Sequence, residues 1–182
     1  MSDFLLKARE CKGVGVTIAQ DDKSKQFYSE LQSDKRYSIA SIEDGDITRI
    51  EVISDVASMC DAIFGTYNVD LVLADGAPSL DYRDENFQEV HVQKILLAEF
   101  ITALECINVK GTFIMKMFDI FTKFTKCIVY LATKIFTTVK ILKPFSSKVT
   151  NAERYLVCQE LCVNEERRQS LLHSLHIILY NF

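Results

Sequence analysis

The chain has 182 residues, of which 48% are hydrophobic and 25% are charged, with 2 prolines, 6 glycines and a formal net charge of −4. This composition excludes a disordered, collagen-like or low-complexity protein, because the chain has enough apolar surface to form a core, and the length predicts one domain. No uncharged apolar run reaches the roughly 18 residues that a membrane-spanning helix needs, and the first residues lack the basic start and apolar segment of a secretory signal.

The apolar residues alternate between the periodicity of strands and that of helices along the chain. In the first half of the chain, the pattern predicts a helix at 4–11, a strand at 13–19, a polar loop at 21–36, a strand at 37–42, a helix at 50–64 and a strand at 69–74. In the second half, it predicts helices at 86–109 and 121–136 and strands at 111–117, 139–142 and 155–158. The last predicted element is a helix at 164–175 opened by Asn164. Strands separated by helices predict an α/β fold whose parallel sheet is covered on both faces. In such a sheet the chemistry collects beyond the carboxyl ends of the strands, so residues directly after each apolar run are the site candidates.

Three charged residues stand at the ends of predicted strands. Asp75 precedes a glycine that allows an unusual turn, although an aspartate there can equally cap a loop or a helix. Lys116 lies in T-F-I-M-K-M-F, where an isolated buried ammonium is strongly penalised, so we expect it to be paired or to lie at the strand exit as an ordinary surface lysine. Glu153 by itself is an ordinary acid before the last strand. Together, a lysine between two carboxylates suits activation of a hydroxyl by orientation and proton removal.

Asp46 follows the predicted strand 37–42 within Gly45-Asp46-Ile47. In nucleotide-binding α/β folds, an acid at a neighbouring strand end accepts hydrogen bonds from the adenosine part of the ligand. The alternative is that Asp46 only caps the helix predicted at 50–64. The residues by themselves leave both interpretations open.

The small net charge conceals an uneven distribution along the chain. Residues 41–106 contain fourteen acids against three basic residues, whereas residues 107–152 contain eight lysines and one acid, Asp119. A local basic surface of this kind suits a polyanion such as RNA, and a solvated surface is the alternative. The six cysteines form no Cys-x-x-Cys pair and the three histidines are scattered, so we predict reduced, packed thiols in an intracellular protein and no metal site.

Six short motifs occur in one order along the chain: D-G-D-I-T-R at 44–49, A-D-G at 74–76, E-N-F-Q-E at 85–89, M-K-M-F-D-I-F-T at 115–122, L-K-P-F-S-S at 142–147 and N-A-E-R-Y-L-V-C at 151–158. As a set they resemble the FtsJ/RrmJ-type 2′-O-ribose methyltransferases, and they are most similar to the eukaryotic branch that acts on mRNA caps. The resemblance implies a Rossmann-like sheet with helices on both faces and S-adenosylmethionine as the cofactor. It also implies capped mRNA as substrate, the capping or transcription machinery as possible partners, and a nuclear location.

The resemblance also implies roles for particular residues. Asp75, Lys116 and Glu153 match the second, third and fourth members of the family's Lys-Asp-Lys-Glu tetrad, with Lys116 acting on the ribose 2′-hydroxyl. Asp46, Ile47 and Asp75 match cofactor-binding positions. The stretch that contacts capped RNA is matched by Asn86, Phe87 and Gln88, and Glu153 also faces the ribose. The lysines between 110 and 148 fit phosphate contacts.

The family's glycine-rich cofactor loop, the strand before it and the first lysine of the tetrad have no counterpart in this sequence. We therefore expect one N-terminally truncated domain over 1–182, a sheet that lacks its first strand, and weak cofactor binding by this chain. Two alternatives stay open at this point. The acceptor could be ribosomal or transfer RNA, or the domain could be a non-catalytic RNA-binding module. A dinucleotide oxidoreductase is disfavoured because no G-x-G-x-x-G follows a strand.

Overall fold

The computed structural model describes residues 11–18, 33–39, 45–77, 87–145, 147 and 151–182. The elements in chain order are β1 (Gly13–Gly15), β2 (Tyr37–Ile39), α1 (Ile50–Phe64), β3 (Val69–Ala74), α2 (Gln88–His91), α3 (Gln93–Cys106), β4 (Ile107–Met117), α4 (Lys123–Ile135), β5 (Phe136–Leu142), β6 (Arg154–Leu161) and α5 (Glu165–Tyr180). The helix predicted at 4–11 and most of the loop predicted at 21–36 lie outside the described residues. Within the described ranges, no helix is long and apolar enough to cross a bilayer.

The main sheet has four strands in the order β3-β4-β6-β5. β3 and β4 are parallel, whereas β6 runs antiparallel to both of its neighbours. The sequence-based expectation of an all-parallel sheet is therefore wrong for the last strand. The reason is the connection 143–153, which is shorter than the dozen or more residues that a parallel crossover requires. The α/β, Rossmann-like fold class itself is confirmed.

β1 and β2 form a second, two-stranded parallel sheet in which Gly13 pairs with Tyr37. In the part of the chain that the structure describes, no ladder joins this pair to the four-stranded sheet. Contact between them runs through side chains, because Val14 and Val16 pack against the buried cluster of Val56, Cys60 and Cys106. Packing on the α1 and α3 helices thus holds β1 beside the main core.

The single helix predicted over 86–109 is three elements in the structure. The chain bends at Val92 (φ −89°, ψ −5°), which ends α2 and precedes α3, and Ile107 already belongs to β4, where it pairs with Val69. The apolar periodicity continues across both boundaries because α3 is buried nearly all round. Its buried residues are Leu96, Leu97, Ala98, Glu99, Phe100, Ile101, Thr102, Ala103, Leu104 and Cys106.

α3 packs against β3 and β4 of the sheet, while α4 packs against β5 and β6. Phe100 meets Phe113 of β4 edge to face, with ring centroids 5.9 Å apart. α1, α4 and α5 also contact α3. Alternation along β4 turns Phe113, Met115 and Met117 into this core, and it leaves Ile114 and Lys116 on the opposite, half-buried face. The position of Lys116 follows from this alternation.

The C-terminal helix α5 begins as the sequence predicted and extends beyond the predicted end at 175. Asn164 caps it, since its side-chain oxygen accepts a hydrogen bond from Arg167 N at 3.0 Å. Arg168 is 1% exposed and donates from Nη1 to the Ile107 carbonyl at 2.9 Å. Its guanidinium also lies over the ring of Tyr67, 4.2 Å from the centroid. Arg168 therefore connects α5 to the start of β4.

Candidate active site

The carboxyl ends of the two parallel strands bring Asp75 and Lys116 together. Ala74, the last residue of β3, is in register with Met115 of β4, so the next residue on each strand is a neighbour across the ladder. Lys116 Nζ lies 2.6 Å from Asp75 Oδ1 and donates to the Asp75 carbonyl at 3.1 Å. The lysine side chain is 14% exposed and that of Asp75 is 60% exposed. Lys116 is thus paired, one of the two outcomes that its sequence position predicted.

Glu153 contacts Tyr155, which is the neighbour of Lys116 on the adjacent strand. Tyr155 of β6 is the cross-strand partner of Lys116, so both side chains leave the same face of the sheet. The Tyr155 hydroxyl donates to Glu153 Oε1 at 3.2 Å. Burial, together with the negative charges of Asp75 and Glu153, raises the pKa of Tyr155 to about 12. Lys116 therefore has Asp75 as its carboxylate partner, whereas Glu153 is hydrogen-bonded to Tyr155, the cross-strand neighbour of Lys116.

Tyr155 is a site residue that sequence reasoning missed. The signal was present, because residue 155 is two positions after Glu153 on a strand, where alternate residues share a face. Which residue it would oppose on β4 could not be read from the sequence, since that depends on an antiparallel register between strands far apart in the chain. The register is a product of the tertiary structure.

The turn after β3 rests on a buried acid, which was also missed. Gly76 N donates to Glu99 Oε1 at 2.7 Å, and Glu99 is 7% exposed within α3. Burial raises the pKa of Glu99 to about 8, against the opposing effects of the Gly76 N–H and the charge of Lys116. An acid inside the apolar run L-L-A-E-F-I-T-A-L was the signal that could have found it.

Asp46 is occupied in a local turn before α1. Its Oδ1 accepts hydrogen bonds from Thr48 N and Thr48 Oγ1, both at 2.9 Å. This is a local turn and not a cap of α1, because the N-cap position is Arg49 and no side chain caps the helix. Ile47 is half-buried and packs against the apolar core clusters. Neither residue has a described contact with Asp75 or Lys116.

The predicted RNA-contacting stretch lies at the start of α2. Asn86 is outside the described residues, Phe87 is 60% exposed, and Gln88 begins the helix. Glu89 anchors this segment to the N-terminus of α4, because its carboxylate accepts from Phe121 N at 3.0 Å and from both N and Oγ1 of Thr122 at 2.8 Å. Phe121 is 78% exposed, so two aromatic rings flank a buried carboxylate.

The lysines of the basic stretch do not share one surface. Lys123 and Lys126 lie in the first turns of α4, and Lys143 directly follows β5, so these three are at the same end of the sheet as Lys116. Lys110 near the start of β4 and Lys134 at the end of α4 lie at the opposite end. Only part of the stretch can therefore face a ligand bound beside Lys116.

Lys143 also has a structural role in the loop that precedes β6. Its Nζ donates to the Asn151 carbonyl at 2.7 Å, to Asn151 Oδ1 at 2.9 Å and to the Glu153 carbonyl at 3.4 Å. These bonds close the connection 143–153 at its base. They fix the backbone of Glu153 at the edge of the site.

Comparison with known proteins identifies the family of the chain. The family model for FtsJ-like methyltransferases matches residues 1–161. The cap-specific mRNA (nucleoside-2′-O-)-methyltransferase 1 of Danio rerio is 35% identical over 190 residues, a match that covers 100% of this chain and 23% of that protein. The Homo sapiens protein of the same name is 35% identical over 185 residues, which covers 98% of this chain and 22% of that protein.

A solved structure shows the same fold. The putative ribosomal RNA methyltransferase from Plasmodium falciparum has a TM-score of 0.56 and 19% sequence identity, covering 90% of this chain and 93% of that one. The chain spans about a fifth of the length of the curated relatives that it matches. The family match extends over most of the chain and includes every element that carries Asp75, Lys116 and Glu153. This chain belongs to the FtsJ-like methyltransferase family.

Proposed function

We propose that this chain is a single methyltransferase domain that transfers a methyl group from S-adenosylmethionine to the ribose 2′-hydroxyl of the first transcribed nucleotide of capped mRNA. The observation that carries the proposal is the contact between Lys116 Nζ and Asp75 Oδ1 at the carboxyl ends of two parallel strands, where α/β folds place their chemistry. The proposed acceptor comes from the similar proteins, which are named as cap-specific mRNA (nucleoside-2′-O-)-methyltransferases.

In this proposal Lys116, in its uncharged amine form, holds the 2′-hydroxyl and accepts its proton as the oxygen attacks the methyl group. Asp75 orients the amine through two contacts, one from its carboxylate and one from its carbonyl. A base placed in this way contributes roughly 10²–10⁴-fold to a proton transfer. Glu153 accepts a hydrogen bond from the Tyr155 hydroxyl. Through this contact, in the proposal, it positions the lysine and the ribose.

The residues at the strand ends fit S-adenosylmethionine, which supplies a methyl group activated by a positively charged sulfur. The exposed carboxylate of Asp75 suits a ligand that carries an ammonium, a sulfonium and ribose hydroxyls. Asp46 and Ile47 would contact the adenosine end, although Asp46 Oδ1 is already engaged with Thr48. Those two assignments rest on the motif match, while Asp75 also has geometric support.

RNA would cross the same end of the sheet. Phe87, which precedes Gln88 and follows Asn86 in the sequence, presents an exposed ring, and exposed aromatic rings stack on bases. Lys123 and Lys126 lie at that end and suit phosphate oxygens. Capped mRNA as substrate implies a nuclear protein that works with the capping or transcription machinery.

The test measures methyl transfer by the protein that contains this chain. Radiolabelled S-adenosylmethionine is offered with capped RNA, with the same RNA uncapped, and with capped RNA already methylated at the first 2′-oxygen. We expect transfer to the first substrate alone. Lys116→Ala should lower the rate at least 10²-fold, whereas Lys134→Ala, an exposed lysine in the last turn of α4 at the opposite end of the sheet, should leave it unchanged.

Three results would contradict the proposal in different ways. Equal transfer to uncapped RNA would assign a ribosomal or transfer RNA acceptor. Full activity of Lys116→Ala would remove the lysine from the reaction. Absence of heat with S-adenosylmethionine in calorimetry, together with salt-dependent RNA binding, would make the domain a non-catalytic RNA-binding module.

A further inference from the structure

Glu99 places a carboxyl group directly beneath the turn that presents Asp75. It lies on α3, is 7% exposed, and its neighbours Ala98 and Phe100 are fully buried. One oxygen accepts the Gly76 N–H at 2.7 Å. The other oxygen, Oε2, is buried and has no hydrogen-bond partner among the described residues. Burying an acid this deeply costs free energy unless its oxygens are hydrogen-bonded, as Oε1 is to the turn above it.

The turn and the acid are packed without space between them. A Cβ atom added to Gly76 would lie 2.6 Å from Glu99 Oε1 and 2.8 Å from Ile95 Cγ2. Only glycine can therefore occupy position 76 while the hydrogen bond to Glu99 is kept. Because Asp75 is the adjacent residue, the position of its carboxylate and carbonyl depends on where Glu99 holds the amide of Gly76.

The charge state of Glu99 decides its effect on Lys116. The charged groups that face it are Asp75, from the turn after β3, and Lys116, from β4. Burial raises the pKa of Glu99 to about 8, so the carboxyl group is mainly neutral at pH 7. A neutral acid accepts the hydrogen bond from Gly76 N and adds no charge near Lys116, whose ammonium then pairs with Asp75 alone. An ionised Glu99 would add a second negative charge that stabilises the ammonium.

We propose that Glu99 is a positioning residue for the reaction: as a neutral carboxylic acid it holds the Gly76 amide, which fixes Asp75 against Lys116 without a competing negative charge. This inference rests on the proposed function for its effect on methyl transfer. The hydrogen bond and the protonation state can be tested without any activity.

The first measurement follows the Gly76 amide by NMR in the protein that contains this chain, from pH 6 to pH 10. We expect its proton shift to titrate with a midpoint near pH 8 in the parent, because an ionised acceptor strengthens the bond. In Glu99→Gln, which keeps a neutral carbonyl acceptor, the shift should stay constant. A Gly76 amide that does not respond to pH in the parent, or that titrates equally in Glu99→Gln, would overturn the inference.

The second measurement compares methyl transfer by the parent, Glu99→Gln and Glu99→Leu. Glu99→Gln should keep activity within about threefold at pH 7, and it should exceed the parent above pH 8.5, where the parent gains a charge beside Lys116. Glu99→Leu should lose roughly tenfold or more in kcat with KM for RNA little changed, because Asp75 and Lys116 are no longer aligned. An inactive Glu99→Gln, or a fully active Glu99→Leu, would refute the positioning role.

The two measurements separate this inference from the proposed function. If the parent shows no methyl transfer, the proposed function fails, and the Gly76 titration still decides whether Glu99 is a neutral acid that holds the turn. If the parent is active and the titration is absent, the inference fails alone. Glu99→Gln is the critical variant because it has nearly the volume of glutamate and should fold.

Discussion

Replacement of Glu89 by glutamine should destabilise the protein far more than a change of one atom suggests. Glu89 is 8% exposed and its two oxygens accept three hydrogen bonds, two from Thr122 at Oε1 and one from Phe121 N at Oε2. In Glu89→Gln one oxygen remains as an acceptor. The amide nitrogen then takes the other position and opposes a backbone N–H, so that two donors face each other.

The size of the effect follows from these contacts. A hydrogen bond to a charged group contributes about 1.5–3 kcal/mol and a neutral one about 0.5–1.5 kcal/mol. Two bonds to Thr122 weaken, and the bond to Phe121 is lost. We expect a loss of about 3 kcal/mol in the free energy of unfolding, measured by urea denaturation at pH 7. Glu51→Gln is the control, because that side chain is 74% exposed and should change the value by no more than about 0.5 kcal/mol.

The same contact predicts a pH dependence. Burial alone would raise the pKa of Glu89, but the hydrogen bonds from Thr122, Phe121 and Thr125 together outweigh it and lower the pKa below its usual value. The stabilisation is therefore present above the pKa of the unfolded chain, and it is lost as the pH falls through the lower pKa of the folded state. The difference between the parent and Glu89→Gln should shrink below about pH 4. A difference below 0.5 kcal/mol at pH 7, or one that grows in acid, would refute this reasoning.

Two further predictions concern the core. Phe100→Ala should lower the free energy of unfolding by about 3–5 kcal/mol, because it empties a fully buried position and removes the edge-to-face contact with Phe113; a loss under 1 kcal/mol would contradict the packing. At pH 8, iodoacetamide followed by mass spectrometry should label the exposed Cys127 and spare Cys158 until denaturant is added, since Cys158 is 0% exposed and burial raises its pKa to about 12. Equal labelling of both thiols in the folded protein would show that β6 is not buried as described.

Elements with a complete local signal were predicted well from the sequence. The structure has α1 at Ile50–Phe64 and β3 at Val69–Ala74, as the periodicity predicted. Both are bounded by clear punctuation, since Gly65 ends α1 with φ +91° and Asp75-Gly76 follows β3. The prediction of a single helix over 86–109 was wrong because α3 is buried on nearly all sides. Its apolar pattern therefore has no polar face to mark where the helix ends and the strand begins.

The candidate site was also predicted only in part from the sequence. The residue types at strand ends identified Asp75 and Lys116, and the structure places them 2.6 Å apart. The sequence could not reveal that Tyr155, which is hydrogen-bonded to Glu153, is the cross-strand neighbour of Lys116, because that depends on the antiparallel register of β6 against β4.

The sequence by itself determined which residues form an α/β sheet and which charged groups follow its strands, because short-range periodicity and turn residues carry that information. Only the tertiary structure decided that the last strand is antiparallel and that Glu99 accepts a hydrogen bond from Gly76. Those contacts join distant segments through packing and strand register. Their energies depend on burial, which exists only once the chain has folded.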